Sequence, residues 1–417
     1  MGKESGQFKF LQFSDVHLDS RLSFLKLPLS LTERQQRRRE ILEVFLLALE
    51  VARSEQIDAV LIPGDLWHNE TIKGATLARI INGCAELGDI PVVIAPGDSD
   101  YYSDESFYNN EILHLYGLPT WSNNVHIFKG GDFSTVKHPS YPHVAFTGRA
   151  LLDSTPQADH PLANLIPRDL DAEINILLLC GSIEGYTGVD KANEAAPFSP
   201  FTAEQLEENQ FTYAALGHYQ DYTEVLSGAG DILGAYSGSL AGRGFDELGP
   251  RFALFGTIQK NEFDAWQCNI EPLELDRRRM VMVSADISGL TGEEMLEEIT
   301  MSIADQGGRI ESDLVFLQLE GNYRIDTNPT EIIEELHYRY YNVAVMDYTR
   351  PDYLSETFDE RTTEAKFVES LLAMKKNAEN LGVESDTTQN DASLIEDALY
   401  YGLDALRRKR VTVRDVD

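Results

Sequence analysis

Cysteine is scarce in this sequence: Cys84, Cys180 and Cys268 are the three present in 417 residues. Cysteines so few and so scattered exclude a disulfide framework and a CxxC metal knuckle, and the ordinary place for such free thiols is as small buried apolar side chains. Basic residues are also in short supply, with 35 Lys and Arg against 69 Asp and Glu, a formal net charge of −34. A field of that sign repels phosphate backbones and argues against autonomous DNA binding, although a salt-adapted host accounts for it equally. The basic runs Arg37-Arg38-Arg39, Arg277-Arg278-Arg279 and Arg407-Arg408-Lys409-Arg410 read more readily as solvated helix faces or strand ends than as phosphate contacts. No apolar run is long enough to cross a bilayer, and "MGKESGQFKF" has no hydrophobic signal region, so the expectation is a cytoplasmic protein with no membrane association.

What the chain does have is a large apolar fraction, 42%, enough for two or three domains. The first part repeats one theme, a short β-rich run that ends in polar residues: "FKFLQFSDVH", "IDAVLIPGDLWH", "IPVVIAPGDSD", "INILLLCGSIEG" and "FTYAALGHYQ". Continuous apolarity marks strands buried on both faces, as in a layered α/β domain. Thr32 with Gln35 forms a capping box for a helix whose Ile41, Phe45, Leu49 and Ala52 share one face. Gly234 to Ile258 has the glycines of a tight turn between two strands, and the domain is expected to close near Leu275.

From Arg279 the pattern becomes strand, helix, strand, helix, strand, with helix starts at Thr291/Glu294 and Asn328-Pro329. Leu296, Ile299 and Ile303 line the first helix, and Ile332, Leu336 and Tyr340 the second. Beyond Pro351 two amphipathic helices are expected, with apolar stripes at Phe367, Leu371 and Met374 and at Leu394, Ala398, Tyr401 and Leu406, separated by "GVESDTTQND". Such helices either pack back on the body or are offered to a partner. The domain reading is 1–275, 276–350 and 351–417.

The polar residues at the strand ends are Asp15 and His17; Asp65 and His68; Asp98, Ser99 and Asp100; Cys180; His218 and Gln220. Ligand sites in open α/β sheets lie at the carboxyl ends of strands, so these loops are expected to converge on one cleft. Carboxylate, imidazole and carboxamide together suit a hard or borderline divalent metal. In an extended segment residues two apart face the same side, which would let Asp15 and His17 grip one ion. A single Asp on the second loop would bridge two ions, the arrangement that clamps a phosphate in two-metal phosphoesterases. His68 is expected to pack or to steady a ligand, and Arg243 with Asp246 to form an ion pair near the cleft or to touch substrate.

In order and spacing, "SDVHLDS", "LIPGDLWH", "PGDSD", "LLLCGSIEGY", "ALGHYQ" and "YSGSLAGRGFDELGP" resemble the calcineurin-like metallophosphoesterases, and more closely the SbcD-type DNA-repair exonuclease subunits. The resemblance implies an α/β fold, a four-layer α/β/β/α sandwich, with a small α+β capping domain and a C-terminal helical tail. It implies an SMC-like, SbcC-type ATPase partner bound through that tail, DNA contacted through the complex, a homodimer, and manganese or magnesium as cofactor. Asp15, His17, Asp65 and His218 match the family's metal ligands. The third loop departs from Gly-Asn-His-Asp, placing Asp98 for the ligating Asn and Ser99 for the His that assists the reacting phosphodiester. Cys180 stands for a ligating His, which shifts the preference to zinc or iron if its thiolate binds, and Gln220 stands for the last His. The resulting expectation is a degenerate two-metal site, holding metal weakly or not at all, in a non-catalytic or weakly active scaffold or regulator. An active metal-dependent nuclease or phosphodiesterase with a retuned site is the alternative.

Overall fold

The computed structural model describes residues 6–22, 30–156, 159–188, 197–355, 358–359, 361–381 and 386–408. The chain forms two compact units, Met1–Met280 and Val281–Asp417. The first contains β1 (Gln7–Gln12), α1 (Leu31–Ser54), β2 (Ala59–Ile62), α2 (Gly74–Ala85), β3 (Val92–Ile94), α3 (Asn110–Leu115), β4 (Val125–Ile127), β5 (Ser134–Lys137), β6 (Val144–Gly148), β7 (Ile174–Cys180), α4 (Ala203–Glu208), β8 (Tyr213–Gly217), β9 (Thr223–Leu226), β10 (Ile232–Tyr236), β11 (Phe252–Lys260) and β12 (Trp266–Glu274). These strands make two six-stranded sheets, ordered β12-β11-β1-β2-β3-β4 and β5-β6-β7-β8-β10-β9. Strands β1 to β4 run parallel, as do β6, β7, β8 and β10.

Side-chain alternation along the strands builds the layers. Phe8, Phe10, Ala59 and Leu61 of the first sheet meet Ile174, Ile176, Leu178, Tyr213 and Ala215 of the second in one core. The opposite faces of the same strands, Leu11, Val60 and Ile62, pack under α1 and α2 through Phe45, Leu49, Leu77 and Ile80. Leu177, Leu179, Ala214 and Leu216 pack outward against Phe201 and Leu206. The result is a four-layer α/β/β/α sandwich. Each such buried Leu, Ile or Phe contributes about 1.5–3 kcal/mol relative to exposure.

Two local expectations are corrected. Helix α1 is capped by Ser30 and Glu33, not Thr32 and Gln35: Ser30 accepts from the Glu33 N–H, and the Glu33 carboxylate accepts from the Ser30 N–H at 2.7 Å. Both pairs fit the capping pattern, but only the earlier one places a charged carboxylate at the positive end of the helix. The predicted tight turn between Gly234 and Ile258 is instead a long crossing, because β10 and β11 lie in different sheets.

That crossing is pinned by buried ions. Arg37, on α1, donates to the Gly242 carbonyl at 2.8 and 2.9 Å and pairs with Asp276 and Glu40. Burial alone would raise Glu40, but hydrogen bonds from Arg278 and Gln36 and the charges of Arg278 and Arg37 bring it down to about 2. Members of the 277–279 run find acidic partners within the chain: Arg278 binds Glu40 at 2.7 Å, Arg279 binds Glu274 at 2.7 Å, and the exposed Arg277 binds Glu43 at 3.2 Å. Of the C-terminal run, Lys409 and Arg410 lie outside the described residues, as does 382–385 of the break between the tail helices.

The second unit sets β13 (Met280–Asp286), β14 (Leu314–Glu320) and β16 (Asn342–Asp347) in a three-stranded sheet, ordered β13-β14-β16, with β15 (Asn322–Tyr323) and β17 (Arg350–Pro351) as a small parallel pair. Helices α5 (Gly292–Asp305) and α6 (Pro329–Arg339) cover the sheet through Met295, Ile299, Ile303 and Leu336. Thr291 and Asn328 cap them as the sequence indicates.

Helices α7 (Thr363–Leu381) and α8 (Asp386–Arg408) pack around Tyr353, Val368, Leu399, Tyr400 and Leu403. The Tyr353 hydroxyl donates to buried Asp404 at 2.5 Å, and Arg350 binds Asp397 at 2.5 Å. The stripe predicted at Leu394, Ala398, Tyr401 and Leu406 is therefore not the packed one: Leu394, Ala398 and Leu406 are exposed. Two periodic sets coexist on α8, and the one that meets the aromatic anchor Tyr353 is buried.

Candidate metal centre

The carboxyl ends of β1, β2 and β3 deliver Asp15, Asp65 and Asp98, and those of β7 and β8 deliver Cys180 and His218. The loops after β1 and β2 are zipped together by backbone bonds, Asp15 N–H to the Gly64 carbonyl at 3.3 Å and His17 N–H to the Asp65 carbonyl at 2.9 Å. Gly64 permits this with φ +106°, and a Cβ there would stand 3.0 Å from the Gly97 Cα. Donor atoms of Asp15, His17 and Asp65 lie within 4.8 Å of one another, as do those of Asp65, Asp98, Cys180 and His218. Asp65 belongs to both groups.

The backbone at these donors is not extended, which corrects the geometry inferred for Asp15 and His17. Asp15, His17, Asp65 and His218 have φ of 52°, 45°, 56° and 112°. Left-handed backbone costs about 1–2 kcal/mol at an ordinary residue and clusters where function demands it. The two side chains share a cluster because the loop twists, with His17 Nε2 at 3.7 Å from Asp15 Oδ1.

The electrostatics are those of a site with too much negative charge for its burial. Burial pushes Asp15 up to about 7, against hydrogen bonds from Ser14 and His218. Asp65 is pushed well above the carboxylate range by burial and then by the charges of Asp98, Asp15 and Asp100. Burial likewise raises the Cys180 thiol, whose Sγ lies 3.7 Å from Asp65 Oδ2. His17 is held well below its ordinary value by burial, then by the charges of Arg243, His68 and His218. Neither ring nitrogen of His17 has a hydrogen-bond partner among the described residues, although the side chain is buried. A buried polar atom left unpaired costs about 1–3 kcal/mol. Crowded carboxylates, an unpartnered buried imidazole and a thiol in one cluster fit divalent cations, which would offset both costs.

The remaining candidates are placed as follows. Asp100 does not join the cluster; it fastens the third loop, accepting from the Gly97, Asp65 and Leu66 N–H groups and from the Tyr108 hydroxyl at 2.7–3.1 Å. Burial pushes it up to about 6. Ser99 holds Asp65 Oδ1 through its backbone N–H at 2.8 Å. His68 lies against His17 with ring centroids 4.8 Å apart and planes tilted by 31°, and burial lowers it to about 4. His218 donates its N–H to Asp15 at 3.1 Å and sets Nδ1 3.4 Å from Asp98.

Gln220 turns its amide nitrogen to Asp15 Oδ1 at 3.4 Å, while its oxygen accepts from Arg243 Nη2 at 2.6 Å. Arg243 pairs with Glu247 rather than Asp246, through Nε at 2.7 Å and its own backbone N–H at 2.8 Å. Sequence reading missed Glu247 and Tyr108, both buried. The four-residue spacing from Arg243 to Glu247 was the available signal for the first; nothing local marks the second.

Residues 8–219 match the family of the calcineurin-like phosphoesterases. No curated protein matches the chain. Among solved structures, the chain is similar to the protein TT1561 of Thermus thermophilus (10% identity, 64% of this chain and 99% of that one, TM-score 0.36) and to a dimetal phosphatase from Danio rerio (12%, 64% and 96%, TM-score 0.35). It is also similar to the purple acid phosphatase PPD1 of yellow lupin seeds, Lupinus luteus (14%, 66% and 52%, TM-score 0.34). Among the described residues no helix is long and apolar enough to cross a membrane.

Proposed function

The chain belongs to the calcineurin-like phosphoesterase family, and from that premise we propose that it is an SbcD-like subunit that keeps a cation-binding cleft but has slowed or lost hydrolysis, acting as scaffold or regulator of an SMC-like ATPase at DNA ends. The observation that carries this reading is the third loop, which brings Asp98 into the cluster and offers a serine, Ser99, and no imidazole beside it. A general acid contributes roughly 10²- to 10⁴-fold to such a reaction, and a serine hydroxyl at neutral pH cannot replace it.

Charge supports the same reading. Divalent ions held by Asp15, His17, Asp65, Asp98, Cys180 and His218 would supply Lewis-acid clamping of a phosphate. Three carboxylates and a thiolate offset two such ions completely, leaving little local field to draw in a phosphodiester.

Partner binding through the tail is supported by apolar side chains that stay on its surface: Met374 is 54% exposed, Leu394 68% and Leu406 47%. Such patches mark contact surfaces. The four-donor group containing Cys180 favours a second reading, a retuned metalloenzyme acting on DNA ends or a smaller phosphoester.

The test is elemental analysis of the purified chain with a manganese-dependent cleavage assay on end-labelled duplex DNA. The scaffold reading expects cleavage near background in the wild type and a rise of about 100-fold in Ser99→His. Robust wild-type cleavage that disappears in Asp65→Ala would establish the second reading instead. For the tail, Leu394→Glu with Leu406→Glu is expected to abolish copurification of an ATPase; unchanged copurification removes this surface from the interface.

A further inference from the structure

The two halves of the cluster are unequal in a way that the shared Asp65 conceals. One half has four donors of mixed softness, Asp65, Asp98, Cys180 and His218. Four protein donors close a tetrahedral site, and a thiolate among them selects zinc-like over manganese-like ions. The other half has three donors, Asp15, His17 and Asp65, and one of these is shared. Three protein donors leave a coordination position open to water or substrate, so the chain holds that ion by fewer bonds than the other.

What would complete the weaker half is turned away. Gln220 has one atom able to bind a cation, its amide oxygen, and that oxygen is taken by Arg243 at 2.6 Å. Arg243 is fixed in turn by Glu247, which accepts from its Nε at 2.7 Å and its backbone N–H at 2.8 Å and also from Ser239 Oγ at 3.2 Å. Glu247 is 1% exposed and Arg243 7% exposed, so the chain Ser239–Glu247–Arg243 is a buried, hydrogen-bonded strut that ends on the half-buried Gln220. The end of the strut that faces the cluster is an N–H donor, which repels a cation and satisfies Asp15 without one.

We propose that the centre fills with two unlike ions in a fixed order: one thiophilic ion such as zinc is retained at Asp65, Asp98, Cys180 and His218, and the second, harder ion is exchangeable because the Gln220–Arg243 strut withholds the donor that would hold it. This rests on the reading of the strand-end cluster as a metal centre and adds which ion goes where and what controls the second. Arg243 acts here as a positioning residue, through Gln220.

The experiment uses the full chain loaded with zinc alone, manganese alone or both, then dialysed against a weak chelator and measured for metal content. The wild type is expected to keep about one zinc and almost no manganese per chain. Gln220→His, which supplies a ring nitrogen in place of the amide, is expected to keep a second ion, with affinity for it raised by roughly 10- to 100-fold, the range seen when groups around a metal are changed. Cobalt in place of zinc is expected to show a thiolate charge-transfer band in the wild type and in Gln220→His, and none in Cys180→Ser. Two equally retained ions in the wild type would overturn the order, and an unchanged cobalt spectrum in Cys180→Ser would overturn the assignment of the tight site, in both cases leaving the metal centre itself standing. A wild type that retains no ion would overturn the metal centre and this inference together.

Discussion

Stripped of metal, an Asp65→Asn protein is expected to melt higher than the wild type; given zinc or manganese, it is expected to melt lower. The crossing follows from the position of Asp65 among Asp15, Asp98 and Asp100, whose charges and whose burial push it well above the carboxylate range. Asparagine keeps the size and the oxygen that accepts from Ser99, and removes the buried charge. A carboxylate raised in this way costs stability at neutral pH that a neutral amide does not, so relief is expected in the apoprotein. In the loaded protein the balance reverses, because the residue common to both donor groups is weakened, whereas metal at a thousandfold excess over Kd stabilises by about 4 kcal/mol.

The same crowding sets the pH dependence. Asp15 and Asp100 have folded values of about 7 and 6 against an ordinary 3.8. Groups raised on folding favour the native state below the unfolded value and lose that contribution as pH rises through the folded one. These two carboxylates should therefore cost the apoprotein stability between about pH 4 and pH 7. His17 and His68, held below their ordinary values, act in the opposite sense up to about pH 6.5, and metal should remove the part that comes from Asp15. Thermal unfolding with and without chelator across that range is the measurement; curves in the same order under both conditions would refute the account.

Gly217→Ala is expected to be the most damaging single methyl group in the first unit. Gly217 closes β8 just before His218, and a Cβ there would stand 2.0 Å from the Pro63 carbonyl oxygen and 3.2 Å from the Ser14 side chain. Both obstacles belong to the loops that carry Asp15 and Asp65, so relief requires the second sheet to back away from the first. Overpacking ordinarily costs about 1–3 kcal/mol, and a clash with fixed backbone belongs at or beyond the top of that range. Gly228→Ala, where nothing lies within 4 Å, is the matched control and should stay within about 0.5 kcal/mol of wild type. Urea unfolding midpoints decide it, with metal retention falling in Gly217→Ala alone. A cost below about 1 kcal/mol would show that the two sheet ends are not rigidly apposed.

The strands and the donors at their ends were legible in the sequence because buried parallel strands are short apolar runs with abrupt polar ends. The same applies to α5 and α6, whose starts are written in Thr291 and Asn328-Pro329. Illegible features were those decided by contacts across long separations. The twist that brings His17 to Asp15 depends on bonds to Gly64 and Asp65. The pairing of Arg243 with Glu247 rather than Asp246 depends on which side of the loop faces inward. On α8, Leu394 and Leu406 have helical spacing as good as that of Leu399 and Leu403, and only the position of Tyr353 distinguishes them.

The location of β1 has a consequence for biosynthesis. It lies between β2 and β11, and Asp15 takes hydrogen bonds from groups 203 and 205 residues further on. A chain emerging from the ribosome at 5–20 residues per second leaves one flank of β1 open for roughly 10–50 s before Phe252 follows. Through that interval the nascent polypeptide offers an unpaired apolar strand of the kind chaperones shield, and the cation cleft assembles only after most of the first unit has been translated.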